Sequence, residues 1–292
     1  MKYDSLHALV LRAQEQGVSL SQLLLQDEAK ELETTTDEVM KRMTKSLRVM
    51  EESVAAGLEK DLKSTSGLTG GDAWKMSQRK DNSLVGPTFV GSLTKAIAVS
   101  ETNACMGRIV AAPTAGSCGI LPACLLTVME ERSIPEEQVV MALFTASAVG
   151  MVIARNATIA GAEGGCQAEC GAASAMAAAA LVELNGGTPA MVEHATAIAL
   201  KNVLGLVCDP VAGLVEIPCI KRNAMGTANA FTAAEMALAG IESKIPADEV
   251  IWAMKKVGDS MHPDLKETAR GGLAATPTGR KLTEKVFGKM EE

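Results

Sequence analysis

The chain has 292 residues, a formal net charge of -7, and 2% aromatic against 47% hydrophobic residues. That length suffices for one large domain or two ordinary ones with a substantial core. A palette poor in aromatics and rich in Ala, Leu, Val, Met and Gly points to a mainly α fold rather than a β-sandwich, and the lack of basic runs interleaved with aromatics excludes a nucleic-acid footprint.

At the N-terminus Asp4, His7, Arg12 and Glu15 interrupt the chain before any apolar run is long enough for a signal peptide. The expected location is cytoplasmic, where thiols stay reduced, so the seven cysteines are read as core residues or ligands rather than disulfides. Residues 1–64 read as an N-terminal helical arm. Val39, Met43, Leu47, Met50, Val54 and Leu58 recur at spacings that place them on one helical stripe. Thr35 is the expected N-cap with Glu38 as its capping-box partner, and the one-sided stripe suits an arm lying on another domain or subunit.

From Ser64 the texture changes, with Gly67, Gly70, Gly71, Gly86 and Gly91 breaking regular structure. The domain boundary is placed there, dividing the chain into 1–64 and 65–292. Ala-rich helices are then expected over 93–110, over 135–154 (capped by Ser133 with Glu136), and over 171–187 (stopped by Asn185 and Gly186). Thr188 with Pro189, and later Pro246, open two more. The uncharged stretch between Glu137 and Arg155 falls short of the roughly 20 residues that span a bilayer and reads as a buried helix, with no membrane contact expected.

Among the cysteines, Cys105, Cys118, Cys124 and Cys170 read as small buried hydrophobes. Cys166 follows Gly164 and Gly165, Cys208 precedes Asp209 and Pro210, and Cys219 follows Pro218, so each lies at a turn where a ligand can come close. Cys166 and Cys170 also sit near the start of the Ala-rich helix, where exposed N–H groups and the helix dipole favour a thiolate. Their spacing matches neither a zinc finger or ribbon nor a ferredoxin run, which leaves core cysteines and metal ligands both open. His7, His194 and His262 are too few for a His-rich zinc site, and a Ser-His-Asp hydrolase is poorly supported. "TGGD" at 69–72 and "APTAGSCG" at 112–119 could form backbone nests for an anion, without any P-loop pattern.

The segments "SGLTGGDAWKM", "APTAGSCGILPA", "NATIAGAEGGCQAECG", "GLVCDPVAGLVEIPCIKRNAMG" and "GGLAATPTGR", in this order, resemble the α subunit of bacterial iron-sulfur L-serine dehydratases, strongly from residue 66 onward and more loosely through the arm. The resemblance implies a lyase that converts L-serine to pyruvate and ammonia with a 4Fe-4S cluster and no pyridoxal phosphate. It implies Cys166, Cys208 and Cys219 as cluster ligands, one iron being left open as a Lewis acid, and 65–292 as the catalytic domain. Single-chain members of that family resemble this chain only in their second half. Their first half carries an "SHT" motif for the substrate carboxylate that is missing here, so a separate β subunit, and a hetero-oligomer, are expected. Some members end in a cysteine that can reach the cluster, whereas this tail reads "GRKLTEKVFGKMEE".

The catalytic base is left open between Lys95, Lys201 and Lys221. Arg222, Asn223, Asn156 and the nest Thr69, Gly70, Gly71 and Asp72 are the expected substrate contacts. Two alternatives stand beside this reading: a cluster-dependent dehydratase of threonine or a related β-hydroxy acid, and a helical scaffold with inert core cysteines.

Overall fold

Thirteen α-helices and no strand form among residues 3–288, the part of the chain described by the computed structural model. The mainly α class follows from the palette, and its centre is the Ala-rich helix. This helix, α9 (Ala172–Leu184), is buried along every residue from Ala172 to Val182. It is enclosed by α6 (Ile120–Arg132), α7 (Glu136–Asn156), α10 (Pro189–Lys201) and α11 (Cys219–Leu238). Alanine is the strongest helix former and lets neighbouring backbones approach closely. Ser174 Oγ accordingly reaches the Gly226 carbonyl of α11 at 2.9 Å. Larger side chains fill the gaps between helices, and full burial of a residue such as Leu181 or Ile153 contributes about 1.5–3 kcal/mol. As the sequence predicts, α9 stops at Asn185, whose Nδ2 donates to the Leu181 carbonyl, with Gly186 following at φ +79°. Thr188 then caps α10 by accepting from Met191 N–H.

The N-terminal segment forms α1 (Leu6–Gln16), α2 (Leu20–Glu31) and α3 (Thr36–Gly57). Its stripe faces its own chain: Val39, Leu47, Met50 and Val54 are buried in the same core as α7 and α9. Polar ties reinforce this, with Glu183 of α9 accepting from both Ser21 N–H and Thr145 Oγ1. Gly57 lies so close to α5 (Pro87–Ala104) that an added Cβ would stand 1.9 Å from the Ala98 carbonyl oxygen. Helix α7 is long and apolar enough to cross a membrane, yet most of it is buried against α2, α3 and α9.

Several boundaries differ from expectation. Ser133 does not cap α7; it sits at φ +51° and closes α6, because a cap must directly precede Glu136 and that place belongs to Pro135. Thr35 does cap α3, but the Glu38 carboxylate turns to Arg42, and the complete capping box lies one helix earlier, at Ser19 and Gln22. Helix α5 starts at Pro87 and ends at Ala104, short of the predicted 110, where Met106 takes a left-handed conformation. The last helices are α12 (Ala247–Ser260), entered from Pro246, and α13 (Pro277–Phe287), which packs on the turn Val211–Gly213 between Cys208 and Cys219. Of the cysteine-free tail, 289–292 lie outside the described residues.

Candidate active site

Three breaks in the helical framework carry Cys166, Cys208 and Cys219. Cys166 lies between the one-turn helix α8 (Gly161–Gly164) and a π turn, Gln167–Gly171, that leads into α9. An extra residue in the helical ladder re-aims side chains, and such turns are frequent at functional sites. Buried Gln167 pins this one: its Nε2 donates to the carbonyls of Gly164 and Met254, and its Oε1 accepts from Gly205 N–H. Cys208 sits in an irregular segment whose N–H donates to Leu265 and whose carbonyl accepts from Glu267. Cys219 opens α11 directly behind Pro218.

One guanidinium ties the Cys208 segment to the start of α11. Arg222, one turn along α11 from Cys219, donates to the Val207 carbonyl at 2.7 Å and to Asp209 Oδ1 at 2.8 Å, the two neighbours of Cys208. Its charge also bears on Cys166. Asp209 is held in turn by Leu273 N–H at 2.8 Å, which is how the "GGLAATPTGR" segment reaches the site. Gly272 is required there, since it lies at φ +58° and a Cβ would come 2.4 Å from Asp209 Oδ2.

The pocket is electrostatically uneven. Cys166 is held below the ordinary thiol range, first by its hydrogen bond with Cys170, 3.4 Å away, and next by the Arg222 charge, against the cost of burial. Burial, with the nearby charges of Cys166 and Glu169, pushes the Cys219 thiol up to about 12. Cys208 is raised further, by burial and then by Glu169. Burial opposes the charge on Arg222, but Cys166 and Asp209 outweigh it and keep the guanidinium protonated.

Glu169 is the residue that sequence reasoning missed. Its carboxylate accepts from Thr114 Oγ1 at 2.8 Å and stands 3.8 Å from Cys208 Sγ. Gly116 and Gly161 clear the space for it, because a Cβ on either would lie 2.6–2.9 Å from a carboxylate oxygen. Burial raises its pKa. The signal was present: Glu169 is the only charged residue in "GGCQAECGAASAMAAAALV", and a charge enclosed by alanines needs a partner.

The other expected residues are distributed unevenly. Asn223 is buried beside Cys219, but its amide is engaged by the backbone of Gly116, Gly119 and Cys219 rather than left open to a pocket. Thr69 donates to Glu216 at 2.6 Å, and Asp72 pairs with Lys221 at 2.7 Å and with Lys75 at 2.9 Å. The N–H groups of Asp72 and Ala73 are taken by the buried Glu101 carboxylate and that of Thr69 by Ser64 Oγ, so only the N–H groups of Gly70 and Gly71 in the nest have no hydrogen-bond partner among the described residues. Lys95 is paired with Glu130 and Lys201 contacts Ser243, neither of them in the cysteine pocket. Asn156 ends α7 and donates to the carbonyls of Val152 and Asp4, which tie it to the N-terminal segment. A cavity of about 520 Å³ is lined by Thr65, Ser66, Ala115, Leu214, Glu216 and Phe287 among others; Ala115 follows Thr114, the partner of Glu169, and Glu216 lies three residues before Cys219.

The sequence model of the family described as "Serine dehydratase alpha chain" matches residues 15–274. The chain is 52% identical to a probable L-serine dehydratase, alpha chain, of Bacillus subtilis (strain 168), over 98% of this chain and 96% of that one. It is 46% identical to the L-serine dehydratase, alpha chain, of Peptoniphilus asaccharolyticus, over 92% of both. It is also 39% identical to L-serine dehydratase 2 of Escherichia coli (strain K12), with 93% of this chain covering 61% of the other.

Proposed function

The chain belongs to the serine dehydratase α-chain family, and from that premise we propose that it is the cluster-binding subunit of a two-chain L-serine ammonia-lyase. One observation carries the reading: Cys166, Cys208 and Cys219, from three separate segments, share one buried pocket with Arg222 and Glu169.

The donor set fits an iron-sulfur cluster. Among the described residues no three His, Cys, Asp or Glu side chains stand close enough to hold a single metal ion. The three cysteines are nevertheless near enough to perturb one another's charge, and cysteine thiolates are the ligands that iron-sulfur clusters take. A cationic centre would also favour the thiolates that burial disfavours at Cys208 and Cys219. When bound, the cluster supplies a Lewis-acidic iron to polarise the substrate hydroxyl.

The remaining work falls to the protein. Arg222 ties the Cys208 segment to the start of α11 and favours the charged form of Cys166. Glu169, with one carboxylate oxygen fixed by Thr114, is the group placed to carry a proton inside the pocket. Serine loses its Cα proton and its β-hydroxyl, as water, to give aminoacrylate, which tautomerises and hydrolyses to pyruvate and ammonia. The "alpha chain" relatives align over nearly their whole length, whereas the longer Escherichia coli relative leaves 39% of itself unmatched. That difference supports a β subunit that supplies the missing carboxylate-binding part.

The test is anaerobic co-purification with the β partner, followed by iron analysis and assay of pyruvate from L-serine and 2-oxobutyrate from L-threonine. The expected outcome is a brown complex active on serine and an α chain inactive alone. A colourless, iron-free complex after reconstitution would overturn the cluster, and a preference for threonine would reassign the substrate.

A further inference from the structure

The loop 64–72 is fastened on both sides of Cys219. Three residues before that cysteine, Glu216 Oε2 accepts from Thr69 Oγ1 at 2.6 Å and from Ser66 Oγ at 3.0 Å. Two residues after it, Lys221 reaches Asp72. The two fastenings differ in kind. Lys221 and Asp72 form a surface pair, whereas Glu216 is 5% exposed and pairs with no Lys, Arg or His among the described residues. A buried carboxylate held by hydroxyl donors alone is a costly tie, and its two bonds fix the loop in one position against the turn. Ser66 and Glu216 also line the 520 Å³ cavity, so the bond between them joins the loop 64–72 to the Cys219 turn within its lining.

We propose that Glu216 is a positioning residue that fastens the loop 64–72 to the Cys219 turn and thereby sets the shape of the cavity through which serine is bound. The proposal rests on the serine dehydratase reading above. Both hydroxyls converge on the same carboxylate oxygen, so a glutamine, whose amide keeps one carbonyl oxygen, can take over both bonds. An alanine can take over neither.

The test uses the α chain with its β partner, anaerobically, as wild type, E216A, E216Q, T69V and the double variant E216A/T69V. KM and kcat for L-serine, iron per chain, and amide hydrogen exchange of 64–72 are measured. E216A and T69V should each raise KM about tenfold with kcat within about twofold, the pattern of lost binding rather than lost chemistry. The double variant should be no worse than E216A, because the two residues share one interaction. E216Q should stay near wild type. Exchange over 64–72 should quicken in E216A and T69V while that of α9 is unchanged, and iron content should hold. Unchanged KM and exchange in both single variants would overturn the proposal, as would fully additive effects, or E216Q being as damaging as E216A. Should E216A not fold, T69V and E216Q decide by the same criteria. A wild-type complex that makes no pyruvate from serine would overturn the dehydratase reading instead, and the exchange data would still decide whether Glu216 fastens the loop.

Discussion

Two sets of cysteines in this chain are both buried and differ in what surrounds the sulfur. Cys118, two residues before α6, and Cys124, within its first turns, are both 0% exposed. The Cys124 thiol is pushed up by burial alone, and burial likewise takes Cys118 to about 12. Cys166, Cys208 and Cys219 are 3%, 3% and 8% exposed, but a guanidinium, a carboxylate and one another's sulfurs lie in reach. Accessibility therefore does not separate inert from reactive thiols here. Irregular backbone and nearby charge do: Arg222 helps to lower the Cys166 thiol, whereas at Cys208 and Cys219 the Glu169 carboxylate adds to burial and raises it, so these two need a bound cation to become thiolates.

Substituting one cysteine from each set gives the sharpest break in this comparison. C208A should lose iron and reduce pyruvate formation to background, while C124A keeps the iron and near-normal activity and costs about 1 kcal/mol for a small cavity. Iron analysis and urea melts of the two variants side by side decide it. Equal iron loss in both would mean that the two sets are not distinct.

Next in size is the carboxylate that the first set lacks. E169Q keeps the shape and the Thr114 contact but cannot carry the proton, so kcat should fall about 100-fold with iron retained. Activity within threefold of wild type would reduce Glu169 to a structural acceptor for Thr114 and Cys208.

These regions also differ in how far the sequence disclosed them. The framework was legible because its causes are local: Ala content makes α9, Asn185 and Gly186 end it, and Thr188 with Pro189 start α10. Where a local signal was ambiguous, as at Ser133, two residues of displacement decided which helix it served. The turn context of Cys166, Cys208 and Cys219 was local too, and family resemblance gave it chemical meaning. The partners of the site were not local. Glu169 meets Thr114 across 55 positions, and Glu216 meets Thr69 across 147. The π turn that aims Cys166 depends on Gln167 finding Gly205 and Met254, which no periodicity records. The lysines proposed as bases were chosen by chemistry alone, and the fold uses Lys95 and Lys221 in ion pairs.

The framework is expected to respond to volume rather than charge. Ala178 on α9 is 0% exposed with helices on all sides, so A178V should cost about 1–3 kcal/mol through overpacking. A urea midpoint that drops with an unchanged m value, and normal activity per folded molecule, would fit a packing role. A loss of iron in A178V would show instead that the packed centre and the pocket are coupled.

The smallest expected effect lies at the rim, where Lys221 pairs with Asp72. The hydrogen bond from Lys221, together with that from Lys75, holds Asp72 below the ordinary carboxylate value of 3.8. A depressed carboxylate pKa stabilises the folded chain above the unfolded value, and that contribution is lost as pH falls through the folded one. In K221M the Asp72 pKa should rise toward the ordinary value, as followed by NMR titration. At neutral pH the stability should fall by less than about 1 kcal/mol, because Lys221 is largely solvent-exposed. Below the folded pKa of Asp72 the carboxyl is protonated in both proteins, so the difference between them should vanish. A gap that persists into that acid range would mean that the Lys221 side chain holds the loop by packing of its methylenes, and not by its charge.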